Sequence, residues 1–494
     1  MLGFYRLHKD YISFVLSELR LLMDSRPDQI KEHKDAIIKM IMLDLDPMLP
    51  VIRTLYPSNG RPAELQVEIF RSFILMVHMG IPLDKWVYKL SVNPVLRIIA
   101  GFNSDKMPGT SSYYDFINRI VPMDDRPVIK HFLPKPKIKL KKGEKLPPKN
   151  VNIVASLVNR IINDEMRFRR LLSRRPERFL QKIFARVAVD ASVNIGLVPK
   201  NVSVSGDGTC IETGASIYAK TVCSCRKNGI YKCNCDRKFS DPNATWGWDS
   251  HNEKCFYGYS GFFISTHNKE SKIDLPLYIR LLQANRHDSV SAVFALSEFK
   301  EMHPELHIDT FIADSACDNY ATYELLQHWD INAVIALNDK NKGNFKYPPP
   351  VCITDDGVPI CPNDYEMVYN GYCKIRHRIK WRCPRSRLRI HLTEPCEGCS
   401  QSHYGRVVYT KPDWDLRFFT RIPRGTNAWK TKMKERTAAE RVNDRILLDY
   451  GIERSPTRGK KRISFFITLA AINIHLDAQV KVQKINGLHF FDNF

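Results

Sequence analysis

The sequence lacks any long uninterrupted run of apolar residues. Its first twenty residues, MLGFYRLHKDYISFVLSELR, carry charges throughout, so they contain no apolar core of the kind found in a secretory signal. The most apolar runs, at 73–77 and 467–474, are far shorter than the roughly 20 residues that a membrane-spanning helix needs. We therefore expect a cytoplasmic protein that does not associate with membranes.

Acidic residues are scarce relative to basic ones. The 494 residues include 75 Lys and Arg against 53 Asp and Glu, which gives a formal net charge of +22. Such an excess favours a polyanionic partner, and nucleic acid is the commonest one. No internal repeat with a period of about 20 to 50 residues is visible, so the sequence does not predict a solenoid.

The chain divides by composition into six segments. Residues 1–132 have apolar residues at helical spacing and predict a helical domain, a candidate for DNA binding without a sharp helix-turn-helix signal. Residues 133–150 are rich in Lys and Pro and predict an extended linker, which could follow a phosphate backbone or serve only as a tether. The remaining segments are a basic helical connector at 151–195, a strand-rich core at 196–340, a Cys-containing insertion at 341–429 and two helices at 430–494.

The core segment predicts a mixed α/β sheet. VAVDASV at 187–193 has strand character and precedes the main series. The series itself is three strands, a helix, a strand, a helix and a strand, in the order VSVSGDGTCIET, CFYGYSGFFIST, LPLYIRLLQAN, SAVFALSEFKEMH, DTFIAD, YATYELLQHW and NAVIALN. After the β-rich insertion, TKMKERTAAERVNDRILLDYG predicts a long helix that ends at Gly451, and FFITLAAINIHLDA predicts a final helix.

Two of these strands are predicted to end on an aspartate, Asp207 and Asp314. A buried carboxylate is costly unless a cation or hydrogen-bond donors compensate its charge. Magnesium prefers hard oxygen ligands, and two metal ions held by shared carboxylates suit phosphodiester chemistry. The helix after the insertion offers Glu435 and Glu440, which lie roughly 140° apart on a helix, so we expect only one to face such a site. Asp318 is expected to cap the helix that follows it.

The motifs GDGT, IADSACDNY, INAVIALN and ERTAAERVNDR, taken in this order, resemble the DDE transposases of bacterial insertion sequences. Arg436 precedes Glu440 by four positions, as in the last motif of that family, whereas the tyrosine and lysine positions of the motif hold Met433 and Leu447. The N-terminal stretch from RPAELQVEIFRSFILM to GFNSDKMPGTSSYYDFINRI is also similar to the helical domain of these elements. The resemblance therefore covers most of the chain.

The resemblance implies a fold and a set of ligands. The fold would be an RNase H-like mixed five-stranded sheet with flanking helices, interrupted by the β-rich insertion and preceded by the helical domain. Asp207 would bridge two Mg²⁺ (or Mn²⁺) ions, and Asp314 and Glu440 would each bind one of them. Asp190 is the alternative first carboxylate, and we prefer Asp207 because GDGT leads into the ordered strand series, which Asp190 precedes.

The resemblance also implies a DNA transposase. A water molecule would cleave the phosphodiester at the end of the element, and the freed 3′-hydroxyl would attack target DNA. The implied partners are double-stranded DNA with terminal inverted repeats, target DNA and a second copy of the chain, in the bacterial cytoplasm or on the nucleoid. The alternatives are a transposase-derived DNA-binding protein without activity and an RNase H-like nuclease that does not transfer strands.

The cysteines suggest structural zinc. Two C-x-C pairs across a short loop could close a tetrahedral zinc site, formed by Cys223, Cys225, Cys233 and Cys235. A second candidate site consists of Cys383, Cys396 and Cys399, with Cys361, Cys373 or His391 as its fourth ligand.

Aromatic and basic residues are candidates for DNA contacts. Trp246 and Trp248 could stack on unpaired bases, although packing within the protein is the alternative for either one. The candidates for phosphate contacts are Arg421, Arg424, Lys430, Lys432, Lys434, Arg436 and Arg441.

Overall fold

The computed structural model describes residues 1–130, 152–338, 352–388, 400, 402–453 and 456–485. The predicted linker at 133–150 lies outside the described residues. The described residues form a mixed α/β fold in which helices surround one central sheet.

The N-terminal part is helical, as its apolar spacing predicts. Its helices are α1 (His8–Met23), α2 (Pro27–Glu32), α3 (Lys34–Met42), α4 (Leu49–Arg53), α5 (Gln66–His78), α6 (Leu83–Val92), α7 (Pro94–Ala100) and α8 (Thr110–Ile120). Pro94 separates α6 from α7, and the Asn93 side chain caps α7 by accepting a hydrogen bond from the backbone N–H of Leu96. A short strand, β1 (Val128–Lys130), follows.

The connector is helical, with α9 (Ile153–Asn163), α10 (Glu165–Ser173), α11 (Arg178–Phe184) and α12 (Asp190–Asn194). A π-helical turn at Ala185–Val189 joins α11 to α12, so the strand predicted for VAVDASV is wrong. Ala188 and Ser192 are buried while Asn194 is exposed, which is a helical pattern of burial. Packing of this face against the rest of the protein outweighs the weak preference of valine for strands.

The core contains the remaining elements of the predicted series. In chain order they are β2 (Asn201–Glu212), β3 (Lys220–Thr221), β4 (Arg237–Phe239), β5 (Thr245–Asp249), β6 (Lys254–Asn268), β7 (Ile273–Gln283), α13 (Asp288–Met302), β8 (His307–Ala313), α14 (Tyr320–His328) and β9 (Asn332–Ile335). The predicted order of three strands, helix, strand, helix and strand is confirmed by β2, β6, β7, α13, β8, α14 and β9.

The central sheet has six strands rather than the five predicted. Strand β6 is antiparallel to β2 on one side and to both β5 and β7 on the other, while β2, β8 and β9 are mutually parallel neighbours. Gly258 of β6 pairs with Thr245 of β5 on one side and with Glu212 of β2 on the other. Strands β5 and β7 therefore lie on the same side of β6, β5 beside its first part and β7 beside the rest. The extra strand is TWGWD, which is not among the strands that the sequence predicts.

The insertion has a small core of its own. It contains β10 (Val368–Cys373), β11 (Arg378–Arg382), α15 (Pro384–Leu388) and β12 (Val407–Thr410), and the three strands form an antiparallel sheet in this order. Trp381 is buried at its centre and donates a hydrogen bond to Thr410 Oγ1. Three helices complete the fold: α16 (Asn427–Met433), α17 (Thr437–Asp444) and α18 (Lys460–Ile485).

Buried polar contacts attach the insertion to the core. Arg417 donates hydrogen bonds to Asp318 through Nε, to Oδ1 at 2.8 Å and to Oδ2 at 2.9 Å, and through a terminal nitrogen to Oδ2 at 2.6 Å. Despite burial, which raises it, these bonds hold the pKa of Asp318 below its usual value. The expected helix cap at Asp318 is therefore wrong, because Asn319 caps α14 by accepting from the backbone N–H of Ala321.

Helix α18 joins the N-terminal helices to the sheet. It packs on α3 and α5 on one side and on β7 on the other. Phe465 of α18 lies edge-on to Phe73 of α5, with ring centroids 4.8 Å apart. The stretch Lys460–Val482 is long and apolar enough to cross a membrane by composition, but 83% of its apolar window is buried inside the protein, as expected of a core helix.

Candidate active site

Asp207 and Asp314 lie side by side on neighbouring strands. Gly206 of β2 pairs with Ala313 of β8 in parallel register, so the next residue of each strand is an aspartate. Asp314 follows the last residue of β8, as predicted. Asp207 does not end its strand, because β2 continues for five more residues while it remains paired with β6.

A third carboxylate, that of Asp288, lies close to Asp207 and Asp314. It is the first residue of α13, just after β7, and its side chain lies against Gly208. A Cβ atom at position 208 would be 2.3 Å from Asp288 Oδ1, so the glycine of GDGT makes room for this carboxylate. Sequence reasoning missed Asp288, since an aspartate in the first turn of a helix is common and nothing nearby in the sequence indicates that α13 begins beside β2.

The carboxylates perturb one another electrostatically. Burial raises the pKa of Asp207 to about 7, with further contributions from the charges of Asp314 and Asp288. Burial and the charge of Asp314 raise the pKa of Asp288 to about 6. Arg436 opposes the shift at Asp207, and His287 opposes that at Asp288. The cluster therefore has more negative charge than its protein surroundings compensate.

Helix α17 covers the cluster. It packs across β2, β6 and β7, and Asn443 Nδ2 donates a hydrogen bond to Asp207 Oδ2 at 2.8 Å. Glu440 lies on the same helix and adds a small repulsive contribution to the pKa of Asp207. Its carboxylate pairs with Arg436 at 2.6 Å. Among the described residues, the carboxylate oxygens of Asp207, Asp314 and Glu440 do not all come within 4.8 Å of one another.

The carboxylate of Glu435 forms ion pairs with two lysines. Its carboxylate pairs with Lys269 at 2.8 Å and lies 3.8 Å from Lys432. Of the two glutamates that the sequence offered, only Glu440 interacts electrostatically with Asp207.

The four cysteines of CSCRKNGIYKCNC come together. The Sγ atoms of Cys223 and Cys233 are 3.6 Å apart, as are those of Cys225 and Cys235. All four sulfurs lie within 4.8 Å of one another, so the cluster could hold a metal ion. The second predicted cluster stays a prediction, because Cys396, Cys399 and His391 lie outside the described residues. Cys383 and Cys361 are buried in the insertion, and Cys373 is exposed.

The two tryptophans are exposed. Trp246 is 51% and Trp248 is 60% accessible, and because they are two residues apart on β5 they lie on one face of the sheet. Trp246 pairs with Tyr257 and Asp207 pairs with Phe263, so the tryptophans lie roughly 20 Å or more along β6 from the carboxylates. The tryptophans therefore lie on a part of the sheet that is distant from the carboxylates.

The basic candidates differ in their surroundings. Lys434 is exposed, and Arg436 is engaged with Glu440. Arg441 donates to Asp274, with one hydrogen bond of 3.0 Å, and so links α17 to β7. Arg424 is wrong as a phosphate contact, because it is buried and donates to Tyr323 Oη and to the carbonyl of Ile335.

No protein-family model and no curated protein sequence matches the chain. Function must therefore be inferred from the carboxylate cluster, the cysteines and the exposed tryptophans.

Proposed function

We propose that this protein is a DDE transposase, which cleaves DNA at the ends of an insertion sequence and joins the ends to target DNA. The observation that carries the proposal is the side-by-side placement of Asp207 and Asp314 on the parallel strands β2 and β8. Glu440 lies on α17, a helix that follows the insertion. The three carboxylates therefore occur in the order of the motifs that resemble those of the DDE transposases.

The topology of the sheet supports an RNase H-like core. Strands β7, β6 and β2 are successive antiparallel neighbours, and β8 and β9 extend the sheet in parallel with β2. A mixed sheet is what the resemblance implies, although β5 makes it six-stranded rather than five-stranded. Helix α17 follows the insertion and packs on β2, so the helix that carries Glu440 contacts the strand that carries Asp207.

The carboxylate cluster fits a divalent cation. The pKa of Asp207 is raised by burial and by two neighbouring carboxylates, and a bound cation would relieve that repulsion. Asp207, Asp314 and Glu440 would hold two Mg²⁺ ions, with Asp288 as a fourth carboxylate beside them. When bound, the two ions activate the attacking oxygen and stabilise the leaving oxygen of a phosphodiester.

The protein's own residues position the ligands and the DNA. Asn443 fixes the orientation of the Asp207 carboxylate, and the backbone N–H of Ala316 donates to Asp314 Oδ1 at 3.0 Å. The exposed faces of Trp246 and Trp248 would stack on bases near a DNA end. Lys434 would contact phosphates, and a dimer would bring two element ends together.

A cleavage and joining assay tests the proposal. The substrate would be duplexes from the DNA that flanks the gene on either side, with a supercoiled plasmid as target and Mg²⁺ as the only added metal. The Asp207→Asn, Asp314→Asn and Glu440→Gln variants should each lose at least about 100-fold in both steps, because each removes several kcal/mol of transition-state stabilisation. Glu435→Gln is the matched control on the same helical segment and should retain activity.

The outcome also separates the alternatives. Joining at the wild-type rate by Asp314→Asn would contradict the proposed site. Cleavage without joining by the wild type would indicate a nuclease, and specific binding without cleavage would indicate a DNA-binding protein.

We further propose that the four-cysteine cluster holds structural zinc. Sulfurs bound at 2.3 Å to a tetrahedral ion are about 3.8 Å apart, close to the two 3.6 Å separations observed. Cobalt substitution should produce thiolate-to-metal charge-transfer absorption in the wild type that Cys233→Ser weakens. Cys255→Ser, at an exposed cysteine outside the cluster, is the control. Absence of this absorption in the wild type would contradict a thiolate site.

A further inference from the structure

A second polar cluster lies at the opposite end of α13 from Asp288. It consists of Asp190 at the start of α12, His303 just after α13 and Glu305 just before β8. The 15 residues of α13 separate it from the candidate active site by about 20 Å, at 1.5 Å per residue. Neither the proposed DNA cleavage nor the cysteine cluster involves these three side chains.

The distances within this cluster suit a metal ion. His303 Nδ1 lies 3.4 Å from Glu305 Oε1 and 4.0 Å from Asp190 Oδ1. One ligand atom from each residue lies within 4.8 Å of the other two. Ligands bound to a tetrahedral ion at about 2.1 Å are about 3.4 Å apart, which the separation between His303 and Glu305 matches and that between His303 and Asp190 slightly exceeds.

The imidazole of His303 is buried, and no hydrogen bond to it is found within the described part of the chain. The residue is 1% exposed, and neither of its ring nitrogens makes a hydrogen bond there. A buried polar group without a hydrogen bond is unfavourable, and the contact with Glu305 does not have hydrogen-bond geometry. A metal ion between the imidazole and the two carboxylates would give Nδ1 of this imidazole a partner.

The backbone holds two of the ligands in place. His303, Pro304, Glu305 and Leu306 form a turn, closed by a hydrogen bond of 3.1 Å from the Leu306 N–H to the His303 carbonyl. Proline at the second position restricts the backbone of this turn. The carboxylate side chains of Asp190 and Glu305 are 44% and 46% exposed, so water can reach an ion bound between them.

We propose that Asp190, His303 and Glu305 form a binding site for a divalent transition-metal ion such as Zn²⁺. An imidazole with two carboxylates favours zinc or a related ion over Mg²⁺, which prefers oxygen ligands alone. The charged group near Asp190 on its own helical run is Arg186, whose positive charge acts on the Asp190 carboxylate and would oppose the binding of a cation there. The ion would link α12 to the turn that leads into β8, the strand that precedes Asp314.

Zinc content and affinity of the full-length protein test the site. The wild type should bind one Zn²⁺ per chain more than Glu305→Gln or Asp190→Asn, both of which alter half-exposed side chains and leave the core intact. Competition with a chromophoric chelator should give an affinity at least about 100-fold lower in each variant, because loss of an outer-shell partner alone costs 10- to 100-fold. Glu301→Gln, in the last turn of α13 but outside the cluster, should bind as the wild type does.

Cobalt spectra separate this site from the cysteines. In Glu305→Gln, thiolate-to-cobalt absorption should stay unchanged while the cobalt stoichiometry falls by one. Equal zinc content in the wild type, Glu305→Gln and Asp190→Asn would overturn the proposal. A loss of zinc in the Glu301→Gln control as large as in Glu305→Gln would overturn it as well.

Discussion

Replacing Asp207 with Asn should stabilise the protein in the absence of Mg²⁺. The pKa of Asp207 is raised to about 7 in the folded protein, chiefly by burial and then by Asp314 and Asp288. In the unfolded chain the same carboxyl titrates near pH 4, so between pH 4 and 7 the folded state binds more protons than the unfolded state. The stability of the wild type therefore falls as the pH rises through this window.

The size of the effect follows from the shift. The difference between about 7 in the folded protein and about 4 in the unfolded chain is roughly three pKa units, and each unit is worth 1.36 kcal/mol. The ionised carboxylate thus costs up to about 4 kcal/mol at pH 8 and almost nothing at pH 4. Asparagine cannot ionise, and its amide oxygen can still accept the hydrogen bond from Asn443.

Urea unfolding at a series of pH values measures this effect. Without added Mg²⁺, Asp207→Asn should exceed the wild type in free energy of unfolding by up to about 4 kcal/mol at pH 8, and the difference should vanish toward pH 4. Asp355→Asn, at an exposed aspartate of the insertion, is the control and should show no such dependence. Added Mg²⁺ should stabilise the wild type and not Asp207→Asn. A variant no more stable than the wild type at pH 8 would refute the reasoning.

Three further predictions concern the contacts that build the fold and the DNA surface. Asp318→Ala should lower the free energy of unfolding by about 3 to 5 kcal/mol in a denaturation experiment, because it leaves the buried charge of Arg417 unpaired; a loss under about 1 kcal/mol would contradict this. Phe465→Ala should cost about 3 to 5 kcal/mol in the same measurement, since it opens a cavity where α18 packs on the N-terminal helices. Trp246→Ala and Trp248→Ala should each weaken the binding of DNA ends with single-stranded overhangs by about 1 to 3 kcal/mol in fluorescence anisotropy, with little change in stability; unaltered binding in both variants would rule out base stacking by this surface.

Local pattern was enough to predict most of the strand and helix series. The strands of the core are rich in β-branched and aromatic residues and are bounded by turn-forming residues, so their order could be predicted. VAVDASV was misassigned because its valines favour a strand while its packing partners, distant in sequence, hold it in a helix. Strand β5 was missed because TWGWD is short and lies among turn-forming residues.

Only those residues of the candidate site that lie within a recognisable sequence motif could be predicted. Asp207 lies within a largely buried strand and Asp314 directly follows one, and the parallel register of the two strands makes them neighbours. Asp288 belongs to no recognisable motif. Its position beside Gly208 depends on where the chain leaves β7 and where α13 begins. His303 and Asp190 are more than 100 residues apart, and only the packed positions of α12 and α13 bring them together.

The four carboxylates near β2 are held in different ways, and this difference suggests how the site is organised. Asp207 accepts a hydrogen bond from Asn443 of α17, and Asp314 accepts one from the backbone N–H of Ala316, so both carboxylates have partners within the protein. Glu440 is instead held by Arg436 on its own helix, and the same arginine lowers the pKa of Asp207. Arg436 therefore supplies part of the positive charge that a cation would supply in full. In the proposed metal site, a cation bound by Glu440 would compete with Arg436 for this carboxylate, whereas the two aspartates would keep their hydrogen-bond partners in the protein.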